Sequence, residues 1–346
     1  MIWLAWRQFR AQSIAAAAVL ALLAIVLAAT GPHLASLYNG AGLSDCHANC
    51  IALAGNFVAQ FEGSYIGSLY YLGVVLMYLT PALIGIFWGA PLISRELETG
   101  TFRLAWNQSV TRTRWTLTKL GLIGLASVAT AGLLSLAISW WASPIDAAFQ
   151  FGGQYTPVSF IRMSPPIFDA RGVVPLGYAA FAFALGVTAG VMLRRTLPAM
   201  AVTLVLFAAV QVVVPVFIRP NIIPPDQIIA PLIAPSAGLT IRGSQGTTGG
   251  VLTVQGDFSK PGAWILSDQS ITPAGHVFAV SATQACLGNK GQACMNWIAR
   301  QHLRQLVTYQ PASRFWPLQW IETAFYFALA AVLCALCTWQ IRRRNP

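Results

Sequence analysis

The chain has 346 residues, of which 56% are hydrophobic and only 9% charged, with a formal net charge of +11 and a mean hydropathy of +0.62. A soluble domain carries about 25% charged residues, so this composition excludes an ordinary water-exposed globular protein and points to a chain that faces lipid over much of its surface. Nucleic-acid binding requires a basic patch on a soluble face; none is expected here, and the charge is read through membrane topology.

The N-terminal residues 1–13 place Ile2, Trp6 and Phe9 on one helical face and Arg7 and Arg10 on another, the pattern of an interfacial amphipathic helix. A cleavable leader is the rival reading of this stretch, because small residues (Ala28, Ala29, Gly31) follow the apolar run, although that run is long for one. Six apolar runs follow, at residues 14–30, 67–89, 120–141, 173–193, 197–218 and 318–340. Each is about long enough to cross a ~30 Å hydrocarbon core as a helix. The fourth and fifth are separated only by Arg194, Arg195 and Thr196, which makes them a tight hairpin. The expected fold is an all-α polytopic membrane protein of six transmembrane helices with a small mixed domain outside the bilayer.

Basic residues divide unequally between the two faces. Twelve of the 21 lysines and arginines (Arg7, Arg10, Arg95, Arg103, Arg112, Arg114, Lys119, Arg194, Arg195 and Arg342 to Arg344) fall in the short segments on one side. The positive-inside rule then places both termini and the segment 94–119 in the cytoplasm, with residues 14–218 forming spans one to five and residues 318–346 forming span six and a basic tail.

Three connections face outward. Residues 31–64 contain Cys46 and Cys50, residues 141–171 are short, and residues 219–317 are long enough for a small folded domain. Within the last, 239–242 and 251–254 read as short strands between glycine-rich turns, and 295–309 shows helical spacing of Trp297, Ile298, Leu303, Leu306 and Val307. Cys286 and Cys294 are spaced to staple a loop, and Cys46 and Cys50 pair either locally or with them. The alternative for Cys46, His47 and Cys50 is a metal site, for which no fourth ligand is placed by spacing. No metal is expected.

Catalytic chemistry is absent from the sequence. None of the three lysines (Lys119, Lys260, Lys290) follows a glycine, so no phosphate-cradling GKS or GKT loop exists and the chain is not itself a P-loop ATPase. None of the four histidines precedes a glutamate, which removes an HExxH zinc helix, and there is no GxSxG elbow. No enzyme activity and no cofactor of its own are expected. The one carboxylate inside a span is Glu322, read either as an interfacial group partnered by Arg314 or Arg171 or as a substrate contact. Without further intramembrane acids there is no proton relay, so energy for any transport has to come from elsewhere.

The segment between the second and third runs carries the sharpest signal. Ser94 is a candidate N-cap for a short helix bearing Arg95, Glu96 and Glu98, which Gly100 can stop in a left-handed conformation. Phe102, Arg103, Leu104 and Trp106 follow, and Thr111 can cap the third span. An aromatic and charged knob of this kind has the composition of a protein-binding hot spot; a loop lying on lipid headgroups is the plainer reading.

Arg95-Glu96, Gly100-Thr101, Leu104, Ser109-Val110-Thr111-Arg112 and Lys119 resemble the loop after the second span in ABC exporter permeases, the six-span family without a fused ATPase domain. The opening Trp3 to Arg10 and the approach to the last span, Tyr309 to Gln319, resemble one bacterial branch of that family. Ser109 departs from the pattern, since many relatives carry proline there. The resemblance implies that Arg95, Glu96, Glu98, Gly100, Thr101, Arg103 and Trp106 contact a separate ABC ATPase subunit, which would hold the ATP and Mg. It also implies a second permease copy, identical or paired, and a pathway at the dimer axis lined by spans two and five. Tyr70, Tyr71, Tyr78, Trp88 and Gln211, with Glu322, are the pathway candidates, ordinary helix packing being the alternative for each aromatic. Pro81 and Pro215 can kink those spans, and Gly85-x-x-x-Gly89 and Gly186-x-x-x-Gly190 permit close helix approach. The expected function is therefore the permease subunit of an ATP-driven exporter of an amphipathic drug, antibiotic or lipid-like molecule in a bacterial cytoplasmic membrane. The rivals are a secondary transporter, and a membrane sensor or scaffold that binds a ligand outside and signals through the cytoplasmic segment.

Overall fold

The computed structural model describes residues 2–47, 49–100, 111–151, 161–231, 240–243, 251–255, 260–281 and 291–343. Among the described residues, six helices are long and apolar enough to cross a membrane: Phe9–Gly40, Tyr65–Thr99, Thr113–Trp141, Val174–Leu193, Thr196–Ile222 and Ala312–Arg343, hereafter spans one to six. Most run past the apolar stretch that announces them, because a helix satisfies its backbone hydrogen bonds within itself wherever water is scarce. The N-terminal residues are not set off as a separate element: one helix runs unbroken from Ile2 to Gly40.

Both prolines expected to kink a span are associated with a π-helical turn. In span two the turn Ile84–Gly89 follows Pro81, and in span five Val214–Ile218 contains Pro215. A proline cannot donate to the carbonyl four residues back, and an i to i+5 turn accommodates the lost bond. Helix resumes after both turns, to Thr99 in span two and to Ile222 in span five.

Span four is the axis of the bundle. Residues 177–191 are all buried, whereas only 6% of the apolar window of span one is. Small residues make this possible. A Cβ built on Gly186 would stand 2.2 Å from the carbonyl oxygen of Gly85, and one on Gly89 would stand 2.6 Å from that of Phe183. The two small-residue motifs legible in the sequence therefore pack on each other, span two against span four, backbone on backbone. Span four's buried N-terminus is capped from outside: the Gln319 Oε1 of span six accepts from the amides of Val173 and Val174, both at 2.9 Å, while its Nε2 donates to the Phe168 carbonyl at 2.9 Å. Those amides have no partner within the helix.

At one end of the bundle, Phe9, Ile93, Trp115, Leu120, Phe183 and Ile341 form a core near both chain termini. At the other, the helix Cys50–Glu62 packs Phe57 and Phe61 against Ile66, Tyr70 and Trp141. A Cys46–Cys50 disulfide closes the turn before that helix. In this pairing the two sulfurs are bonded to each other, so neither is a thiolate ligand. Cys286 lies outside the described residues, as does the side chain of Cys294.

Among the described residues, the same end carries two three-stranded antiparallel sheets. One has the order β1 (Asp226–Pro231), β6 (Arg304–Gln310), β4 (Trp264–Ile271). The other has the order β2 (Thr240–Gly243), β3 (Val251–Gln255), β5 (Val280–Ser281). The two strands expected at 239–242 and 251–254 are β2 and β3. The helix expected over 295–309 is only partly correct: it covers Gly291–Arg300 and stops before His302, which adopts a φ of 47°. Residues 304–310 instead form the central strand of the first sheet, pairing on both sides. Strand pairing on two edges outweighs a helical spacing that rested on Leu303, Leu306 and Val307.

Candidate functional site: a clamped loop root and a buried charge cluster

The last turn of span two is fastened to its neighbours. Ser94 does not start a helix; it lies inside one, buried, with its hydroxyl on the Ala90 carbonyl at 2.7 Å and 3.1 Å from the Thr196 hydroxyl. Glu96 pairs with Lys119 of span three, whose ammonium also lies 4.6 Å over the Trp115 ring. Glu98 accepts from both the amide and the hydroxyl of Thr196, at 2.8 and 2.6 Å. Thr196 opens span five, so Glu98 supplies from span two the cap that the start of span five lacks, and its charge suits the positive end of that helix dipole. Gly100 follows at φ 71° and ends the helix, and the Thr111 hydroxyl accepts from the Arg114 amide to start span three, both as the sequence predicts. Arg342 of span six donates to Thr113 at 3.0 Å. The loop root is thus tied to spans three and five, and span three to span six. Thr101, Arg103 and Trp106 lie outside the described residues.

Nearer the sheets, the bundle encloses a charge cluster. Arg219 of span five is fully buried and donates to Glu322 of span six, Nε to Oε2 at 2.7 Å and Nη2 to Oε1 at 2.8 Å. It also pairs with Asp169, which ends the short helix Pro165–Asp169 before span four, and stacks on Phe168 with its guanidinium carbon 4.3 Å from the ring centre. The Tyr178 hydroxyl of span four lies 2.9 Å from Asp169 Oδ1 and 2.9 Å from Glu322 Oε1, and the Tyr78 hydroxyl of span two donates to Asp169 Oδ2 at 3.0 Å. Spans four and six thus bond the guanidinium of span five directly, and span two joins the cluster through Asp169. Two carboxylates share one cation, and burial pushes the Asp169 carboxyl above its usual range; Arg219 opposes the rise and Glu322 adds to it.

Sequence reasoning missed this cluster. From sequence, Glu322 reads as an interfacial group partnered by Arg314 or Arg171 or as a substrate contact, and neither Arg219 nor Asp169 is placed beside it. Arg314 instead bonds Asp226 at 2.5 Å, and Arg171 donates to the Ile138 carbonyl at 3.2 Å. Arg219 reads as the first residue of a loop, but helix continues through it after the π-helical turn and carries it inward. A lone glutamate in an apolar run was the available signal, since a buried charge needs a partner.

A family model described as ABC-2 membrane transporter related matches residues 17–219. The chain belongs to the ABC-2 membrane transporter related family. The match runs from within span one to Arg219 itself and leaves out the sheets and span six. No curated protein and no solved structure matches the chain, so function is argued from the family and from geometry. As an ABC-2 family protein it is a multi-pass permease component of an ABC transporter system, a component that is generally non-catalytic.

Within this ABC-2 permease the six pathway candidates do not converge. Tyr70 is buried edge-on to Phe61 and under Arg171, while Tyr71 is exposed. Tyr78 and Glu322 belong to the charge cluster. Trp88 packs edge-on to Phe9 with ring centres 4.8 Å apart, and the half-buried Gln211 amide has no partner among the described residues. The outer faces of spans two and five remain apolar and exposed, through Leu72, Val75 and Phe87, and through Val205, Val212 and Phe217.

Proposed function

We propose that this chain is the transmembrane subunit of an ATP-driven exporter in a bacterial cytoplasmic membrane, with both termini and the segment 94–119 in the cytoplasm. A separate ABC ATPase, holding ATP and Mg, docks on Arg95, Glu96, Glu98, Gly100, Thr101, Arg103 and Trp106. The observation that carries this reading is the double clamp at the loop root. Glu96–Lys119 and Glu98–Thr196 convert a push on the loop into a joint displacement of spans two, three and five. Span four is the fixed axis, and the π-helical turns give spans two and five a place to bend.

The charge cluster ties spans two, four, five and six together at the outer end. It holds that end shut while the inner end is loaded, and the rigid-body switch to outward access has to strain it. Two permease copies, identical or paired, face each other across the exposed apolar faces of spans two and five. Cargo meeting those faces is amphipathic: a drug, an antibiotic or a lipid-like molecule.

The test is co-purification. The tagged permease should bring down a nucleotide-binding protein, and Trp106→Ala or Glu96→Lys should release it. A permease that purifies alone, or whose partner ignores both changes, contradicts the reading.

A further inference from the structure

A groove of about 500 Å³ opens beside the loop root, between spans one, two and three. That is the size range of small-molecule sites. Phe9, Trp88, Leu92 and Ile123 make its apolar part, and Arg95, Glu96 and Lys119 its polar part. Trp88, Leu92 and Arg95 sit at i, i+4 and i+7, so one stripe of span two runs from apolar to cationic toward the helix end. Gln12 of span one donates to the Phe87 carbonyl at 3.1 Å, inside the π-helical turn, and holds the two walls together.

The charges are unbalanced. Lys119 is neutralised by Glu96, and Glu98 is occupied by Thr196. Arg95 is exposed, and its guanidinium makes no hydrogen bond or ion pair among the described residues. Residues 101–110, which follow, contain no acid and add Arg103. One uncompensated cation therefore stands at the end of an apolar slot in the last turn of a membrane span, where phospholipid headgroups lie.

We infer that the groove binds an anionic phospholipid of the surrounding leaflet, its phosphate on Arg95 and the upper part of an acyl chain along Leu92 and Trp88. This inference needs neither an ATPase nor a direction of transport, and it shares Arg95 and Glu96 with the docking surface proposed above.

The experiment uses the full-length permease without any ATPase, delipidated in detergent and titrated with phosphatidylglycerol or phosphatidylcholine while bound lipid is counted by native mass spectrometry. Wild type should bind phosphatidylglycerol more tightly. Arg95→Gln should lower that affinity about fivefold, the effect of removing one basic residue near an anionic surface, and leave phosphatidylcholine unchanged. Leu92→Trp, which fills the apolar part, should weaken both lipids; Ile123→Trp replaces it if that variant does not fold. Arg10→Gln, an exposed arginine outside the groove, should change nothing. Equal affinity for the two lipids, or a preference that survives Arg95→Gln, or an equal loss in Arg10→Gln, overturns the assignment. So does a photoreactive residue at position 92 that captures polypeptide in place of lipid.

Discussion

Arg219 and Glu322 join span five to span six through two parallel hydrogen bonds, at 2.7 and 2.8 Å, with neither side chain reaching solvent. The pair is one arm of a cluster in which one cation answers two carboxylates. That count makes the partners unequal. Removing the arginine leaves Asp169 and Glu322 facing each other without a counter-charge, a loss of about 3–5 kcal/mol for a broken buried pair. Neutralising Glu322 leaves one anion for one cation. Arg219→Leu should therefore lower the thermal midpoint of the purified protein far more than Glu322→Gln, which should cost less than about 2 kcal/mol. Thermal unfolding followed by intrinsic fluorescence compares them, and equal losses would contradict the charge count.

The same count has a pH signature. The Asp169 carboxyl is raised to about 6 when folded, chiefly by burial, against about 3.9 in an unfolded chain. The folded state then holds the proton more tightly, so the stability this group contributes is full below about pH 4 and is lost as pH rises through about 6. Asp169→Asn cannot ionise and should flatten that part of the profile. The thermal midpoint of wild type relative to Asp169→Asn, measured from pH 4.5 to 7.5, should fall as pH rises; a rise would show that Arg219 dominates burial.

The contact between spans two and four rests on missing side chains. A methyl on Gly186 meets backbone that cannot move aside, since the Gly85 oxygen would be 2.2 Å away. Gly186→Ala should destabilise by about 1–3 kcal/mol, the range for overpacking. Gly121→Ala on span three has open space around it and should be neutral or slightly stabilising, because alanine is the better helix former. A thermal melt of both variants settles it.

If the double clamp transmits force, weakening it should separate binding from work. Glu98→Ala, which loses both bonds to Thr196, should lower the cargo moved per ATP hydrolysed by a larger factor than it lowers retention of the ATPase. Thr196→Val, which removes the other partner of the same contact, should add little to it, because residues in one contact behave non-additively. Reconstituted vesicles give both rates, and additive losses would place the two residues in separate roles.

The six spans were legible because lipid imposes long apolar runs, and the paired glycines because close helix approach requires small residues. Gly100 and Thr111 announced their turns through backbone rules that act within a few residues. What could not be read was pairing across the bundle. Arg219 looks like a flanking arginine because only the π-helical turn after Val213 carries the helix far enough to bury it. Asp169 sits in a short helix whose inward turn no periodicity records. Likewise 304–310 has a helical spacing that only its two strand partners override, and Glu98 reads as a surface charge although Thr196, 98 positions away in sequence, takes both its oxygens.

The central claim is that the root of the loop after span two is where a nucleotide-hydrolysing partner pushes. Thr99 is exposed on the last turn of span two, beside both clamps. A Thr99→Cys permease, treated in cells with a short membrane-permeant bifunctional thiol reagent and analysed by mass spectrometry, should yield a conjugate with a protein carrying a Walker-type ATPase motif. Reaction of that cysteine with an impermeant reagent applied outside intact cells, with no ATPase captured, would contradict it.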